Sequence, residues 1–208
     1  MASRGAVTRT NGKMDRAKKP SAEVDDRYEI RLSGSGGQGM VFAGTILAEA
    51  IGIEDGKNVC QTQSYGPEAR GGASRSDLVV SSKEIYYPKP LGLDLLLALT
   101  QESCDAYYQA LKEDGVLVVD SGLVTQLPAH NVHGFPFTQI ARDQLGTPVA
   151  ANIIALGAIA GLTKIVSKQG LLEVVKRRAP KGTEERNLKA VEIGFELSRK
   201  KKRAGKES

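Results

Sequence analysis

The chain has 208 residues, 40% of them apolar and 25% charged, the make-up of a globular protein with one good core. Trp is absent and aromatics are only 5%, which argues against a stacking platform for single-stranded nucleic acid. The net charge of +5 sits in the ends: residues 1–26 and 199–208 hold 12 of the 29 basic groups, leaving 17 basic against 19 acidic between them.

Basic ends of this kind read as solvated chain, so no nucleic-acid partner is expected. The longest apolar run, Ile153 to Leu162, has 10 residues, whereas a membrane-spanning helix needs ~20. Residues 1–26 lack the apolar stretch and cleavage pattern of a secretion leader. The expectation is a cytoplasmic chain with a disordered basic arm (1–26), one α/β domain (27–198) and a basic tail (199–208).

Structure is expected to begin at Tyr28-Glu29-Ile30-Arg31-Leu32, a short alternating strand. Gly34-Ser35-Gly36-Gly37-Gln38-Gly39 follows, then a stretch in which Met40, Ala43, Gly44, Leu47, Ala50 and Ile51 recur at helical spacing. Strand, Gly-rich turn and helix together open an α/β nucleotide-binding unit. Asn58 to Gln63 reads as a second strand and Ser64 to Gly72 as a loop. Ala73 to Ser81 is extended, with Ile85-Tyr86-Tyr87 as a short returning partner. Leu93 to Leu99 is almost wholly apolar, as in a strand covered on both faces. Gln101 to Lys112 is expected to be helical and Gly115 to Asp120 another buried strand. After an irregular stretch around His133 to Pro136, helices are expected near 138–145, 150–164, 168–178 and 184–200. The fold class is a single Rossmann-like α/β domain with a mostly parallel sheet and a helical C-terminal third.

Glycines 34, 36 and 39 satisfy G-x-G-x-x-G in the strand-to-helix context that motif requires. A phosphate loop would need Lys and then Ser or Thr after the last glycine, but Met40 and Val41 stand there. A dinucleotide site wants an acid closing the second strand, ~20 residues on. That strand closes on Gln61-Thr62-Gln63-Ser64, with Asp55 before it and Glu68 after it. Three readings stay open: a dinucleotide site without that acid, backbone amides that cradle some other anion, and a tight turn that only lets helix and sheet pack closely.

The loop from Tyr65 to Arg75 sets Glu68, Arg70 and Arg75 among Gly and Pro residues. Arg forks bind carboxylate or phosphate, and an exposed hairpin with ordinary surface charges fits the same letters. Cys60 and Cys104 are two thiols in unlike contexts, whereas iron–sulfur clusters take four protein ligands. His130 and His133 read as ordinary loop residues. No G-x-S-x-G elbow occurs, and neither Cys has a base beside it. Asp120 either offers a functional carboxylate at a strand end or starts the turn with Ser121 and Gly122. The chemistry of the letters is that of part of a site, with any redox centre on another chain.

Gly34-Ser-Gly-Gly-Gln-Gly39, Ser64-Tyr-Gly-Pro-Glu-Ala-Arg-Gly-Gly72 and Ala150-Ala-Asn-Ile-Ile-Ala-Leu-Gly157 resemble the gamma subunit of 2-oxoacid:ferredoxin oxidoreductases, over about residues 28–197. The central loop looks more like the 2-oxoglutarate and branched-chain (2-oxoisovalerate) members than the pyruvate ones. The resemblance implies oxidative decarboxylation of a 2-oxoacid with coenzyme A, giving acyl-CoA, carbon dioxide and reduced ferredoxin. It implies alpha, beta and ferredoxin-like delta partners that carry thiamine diphosphate and iron–sulfur clusters. It further implies coenzyme A contacts at Gly34, Ser35, Gly36, Gly37, Gln38, Gly39 and Asn152, with Tyr65, Glu68 and Arg70 lining the approach to the subunit contact. Neither catalytic nor metal-binding residues are implied on this chain. A stand-alone NAD(P)-binding module and a purely structural scaffold subunit are the alternatives.

Overall fold

A computed structural model describes residues 26–64, 73–128 and 131–204. Strand β1 (Tyr28–Ser35) leads into helix α1 (Met40–Glu49), which continues as a π-helical turn over Ala50–Glu54 before β2 (Asn58–Ser64). Then come β3 (Ala73–Ser81), β4 (Leu93–Ala98), α2 (Gln101–Tyr107), β5 (Leu111–Asp120) and β6 (Asn131–Phe135). Four helices follow: α3 (Phe137–Leu145), α4 (Ala151–Thr163), α5 (Lys168–Arg178) and α6 (Glu184–Ala204).

The strands form one sheet in the order β2-β3-β1-β4-β5-β6. β1, β4, β5 and β6 are parallel neighbours, while β3 runs antiparallel to both β1 and β2. β2 therefore points the same way as β1, with β3 wedged between them. The period of two distributes the apolar run of β4: Leu95, Leu97 and the following Leu99 enter one core, Leu96 and Ala98 the other. The larger core lies under α1, α3, α4, α5 and α6; the smaller, with Cys104 and Val119, lies under α2.

Every residue from Ala151 to Ala160 of α4 is buried, and all but Asn152 are apolar or glycine, as in a helix enclosed on every side. α6 crosses it at backbone contact. A Cβ on Gly157 would run into the Val191 carbonyl, and one on Gly194 into the Ile154 carbonyl.

Several expectations from sequence are corrected. Ile85-Tyr86-Tyr87 is not a strand: both edges of β3 are already taken by β1 and β2, and Tyr86 is exposed. The carbonyls of Tyr87 and Lys89 instead accept hydrogen bonds from the Arg27 guanidinium, at 2.9 and 2.7 Å. The helix at Gln101 stops at Tyr107, and after one 3-10 turn Leu111 is already paired with Leu93. The stretch around His133 is strand β6, with His133 opposite Val118. α6 runs to Ala204, past the expected start of the tail, and Lys201 lies over the Phe135 ring, 5.1 Å from its centre. Asp26 belongs to the fold, not to the arm: Ser81 Oγ and the Ser82 N–H donate to its carboxylate at 2.8 and 2.7 Å.

Candidate functional site

Strand order reverses between β1 and β4. From β1 the chain crosses by α1 towards β2, and from β4 by α2 towards β5. The carboxyl ends of strands at such a reversal leave a crevice, the usual ligand position in open α/β sheets. Across this one, the Leu99 N–H donates to the Ser33 carbonyl at 3.0 Å and Ser33 Oγ donates to the Leu97 carbonyl at 2.7 Å. The Gly-rich turn stands directly above.

The turn is closed by its own glutamine. The Ser35 N–H donates to Gln38 Oε1 at 2.7 Å, while the Gln38 N–H donates to the Ser35 carbonyl at 3.2 Å. Two of the four glycines are explained by packing. A Cβ on Gly34 would collide with Gln38 Oε1, and one on Gly39 would stand 2.6 Å from Asn152 Nδ2. Gly37 and Gly39 also have φ of +89° and +72°, where an L side chain is strained. Gly36 has neither reason: its φ is not positive, and nothing lies within 4 Å of the position of a Cβ. The fold itself leaves that residue's lack of a side chain unexplained, and the position is open to a group from outside.

What it would meet is electropositive. α1 has no side-chain cap, and the N–H groups of its first turn have no acceptor inside the helix. Its dipole adds roughly half a positive charge at that end. Beside the turn, a cavity of about 260 Å³ is lined by Gly39, Phe42, Val149, Asn152, Pro180 and Arg186. Asn152, almost wholly buried, donates to the Gly39 carbonyl at 3.3 Å and thereby ties the N-terminus of α4 to that of α1. Phe42 on α1 and Arg186 on α6 escaped the sequence reading because only the folded chain brings these distant segments to one cavity.

The dinucleotide alternative loses its geometry. The acid it needs belongs on a parallel strand beside β1. Here antiparallel β3 occupies that place, and Ala73 lies opposite Ser35. Asp120 is fully buried, and its carboxylate accepts from the Gly122 and Thr138 N–H groups at 3.0 and 2.8 Å. It builds the turn after β5 and the entry to α3. Cys104 is buried on α2 and Cys60 half-buried on β2. Among the described residues no group of three or more His, Cys, Asp or Glu side chains is placed to hold a metal ion, and no helix is long and apolar enough to cross a membrane. Tyr65, Glu68 and Arg70 lie outside the described residues.

The comparisons with known proteins agree with this architecture. The 2-oxoglutarate synthase subunit KorC of Methanocaldococcus jannaschii is 47% identical over 180 residues, 85% of this chain and 96% of that one. The crystal structure of the gamma subunit of a keto/oxoacid ferredoxin oxidoreductase from Geobacter sulfurreducens superposes with a TM-score of 0.76 at 49% identity, over 83% of this chain and 96% of that one. A 2-oxoglutarate:ferredoxin oxidoreductase from Magnetococcus marinus, solved with 2-oxoglutarate, coenzyme A and succinyl-CoA bound, shares the fold at a TM-score of 0.74 and 24% identity, over 84% of this chain and 31% of that one. The family model for pyruvate ferredoxin/flavodoxin oxidoreductase matches residues 29–197. The chain belongs to the pyruvate ferredoxin/flavodoxin oxidoreductase family.

Proposed function

We propose that this chain is the gamma subunit of a 2-oxoglutarate:ferredoxin oxidoreductase, and that its Gly-rich turn holds an anionic part of coenzyme A against the subunits that carry the chemistry. The near-full-length likeness to a 2-oxoglutarate synthase subunit supports the substrate class. Gly36 carries the site assignment, as the turn's one glycine that neither crowding nor backbone conformation explains. Coenzyme A supplies the thiol that takes up the acyl group.

This chain's part is binding and orientation. The open edge at Gly36 and Gly37 lets a phosphate approach the backbone, and the α1 N-terminus favours its charge. Phe42 and Val149 flank the adjoining cavity with apolar surface, and Asn152 holds the two helix N-termini in register. Thiamine diphosphate and the iron–sulfur clusters belong to alpha, beta and ferredoxin-like delta partners in the cytoplasm, with ferredoxin as electron acceptor.

Gly36→Val in the assembled complex is the test. The side chain faces open space, so the complex is expected to fold and assemble, with the KM for coenzyme A raised at least ~10-fold and that for the 2-oxoacid unchanged. The magnitude follows from losing one or two charge-assisted hydrogen bonds of roughly 1.5–3 kcal/mol each. A folded mutant complex with normal coenzyme A dependence would show the turn to be architecture alone. Gly37→Val is a poorer probe, since a φ of +89° strains the backbone whatever binds there.

A further inference from the structure

α2 packs over β1 and β4, and beyond it the outward faces of β1, β3 and β2 carry mostly polar side chains. Direct cross-strand pairing sets Thr62, Asp77 and Arg31 in one row and Ser64, Arg75 and Ser33 in the next. Together with Lys89 from the loop before β4, Thr62, Ser64, Arg31, Arg75 and Asp77 line a cavity of about 350 Å³. Nothing in the proposed role of the Gly-rich turn uses it.

The charges do not cancel. Arg31 grips Asp77 with both prongs of its guanidinium, at 2.7 and 2.8 Å, and lies 4.7 Å from the centre of the Tyr107 ring. Arg75 also faces that ring, at 5.5 Å, yet stays 3.8 Å from Asp77 with a third of its side chain exposed. Lys89 stands exposed at the rim. Among the described residues that line the cavity, one carboxylate thus faces three cations. Glu29, further along β1, is engaged by Arg27 and by the N–H groups of Leu91 and Gly92, at 2.7 Å each. Two positive charges of the described lining remain, beside two hydroxyls, in a partly enclosed polar pocket.

We infer that this cavity binds a phosphate monoester group of a small molecule. A phosphate monoester carries nearly two negative charges at neutral pH, and its several oxygens can take a guanidinium fork, an ammonium and two hydroxyl donors at once. Arg31 is already held rigid by Asp77 and Tyr107, so little ordering is needed when the anion arrives. The pocket also lies near the Gly-rich turn: Arg75 pairs with Ser33, two residues before Ser35, which is roughly 7 Å along the strand. A nucleotide seated at the turn and a separate phosphorylated molecule are both within reach as sources.

Titration calorimetry on the full chain tests the inference with inorganic phosphate, 2-oxoglutarate, adenosine 5′-phosphate and adenosine 3′,5′-bisphosphate as probes. Saturable phosphate binding is expected, with a component that Arg75→Gln and Lys89→Gln each weaken about tenfold, that Arg75→Lys partly restores, and that persists in the Gly36→Val background, where the turn is blocked. Both glutamine variants leave the Arg31–Asp77 pair intact, and unchanged melting temperatures would verify folding. If the bisphosphate binds tighter than the monophosphate and Arg75→Gln removes the difference, the source is a nucleotide's 3′-phosphate. If the two bind alike while phosphate binds, it is a separate molecule. Absence of saturable phosphate binding, phosphate binding indifferent to Arg75 and Lys89, or a preference for 2-oxoglutarate overturns the inference. Normal coenzyme A dependence of a folded Gly36→Val complex, with the Arg75-dependent phosphate binding intact, would overturn the proposed function alone.

Discussion

Asn152 and Gly39, 113 positions apart, meet at the crevice: the Asn152 side-chain amide donates to the Gly39 carbonyl at 3.3 Å. The same nitrogen stands 2.6 Å from where a Cβ on Gly39 would be. The two residues are therefore coupled, and a double-mutant cycle should show it. Asn152→Ala is expected to cost only ~1 kcal/mol, because the Gly39 carbonyl keeps the Ala43 N–H, at 2.9 Å. Gly39→Ala combines the collision with left-handed strain of about 1–3 kcal/mol. In the Asn152→Ala background the collision vanishes and the strain stays, so the double mutant should be less destabilised than the sum. Denaturant unfolding that returns simple additivity would mean the contact carries no energy.

The α4–α6 crossing makes a sharper stability prediction. A methyl group on Gly194 has the Ile154 carbonyl and the Ala158 N–H in its way, and backbone cannot swing aside as a side chain can. Gly194→Ala should cost about 1–3 kcal/mol or more, read as a lower Tm. Gly52→Ala is the control: its nearest neighbour, the Lys57 carbonyl, lies at an ordinary 3.6 Å. That change should shift stability little. Equal losses at both positions would place the cost in glycine's backbone freedom, not in the crossing.

Much of this was legible in the letters. Leu93 to Leu99 announced a strand buried on both faces, and the glycines at 34, 36 and 39 announced the strand-to-helix turn. The alternation Ile85-Tyr86-Tyr87 misled, since it reports β-propensity but not whether any strand edge is free to pair. β6 was invisible because Asn131, Gly134 and the flanking Pro136 look like loop, and its order comes from pairing with β5. At the site, local pattern pointed to the turn and the family resemblance to Asn152, but neither could sort the glycines. Only three-dimensional neighbours separate Gly34 and Gly39, which are crowded, from Gly36, which is not. Likewise Arg31 reads as a surface residue of an alternating strand until β3 brings Asp77 opposite it.

The two thiols should differ in reactivity. Cys104 is buried under α2, and burial pushes its thiol above the ordinary range, which lowers the thiolate fraction. Cys60 is half-buried on β2, the edge strand of the sheet. In the native chain one equivalent of an aromatic disulfide reagent should react quickly, and Cys60→Ser should abolish that phase. The second equivalent should react only on unfolding. Rapid reaction of both would mean that α2 opens from the sheet readily.

Asp26 makes the last prediction, one of pH. Hydrogen bonds from Ser82, and then from Ser81, hold its carboxylate ionised and lower its pKa from 3.8 to about 2. A depressed carboxylate pKa means that the native state binds its proton less readily than the unfolded chain does. The tie between Asp26 and the end of β3 is therefore complete above pH 3.8 and is lost as pH falls through about 2. Carbon-detected NMR titration should place the native Asp26 pKa near the lower value. Ser81→Ala should move it upward, since one of the donors is then gone. Two truncations that begin at Asp26 and at Arg27 differ by this residue alone, and only the shorter should lose the corresponding acid-dependent component of stability. A native Asp26 that titrates at its ordinary value, or truncations with identical acid unfolding, would show that the residue is not fastened to β3.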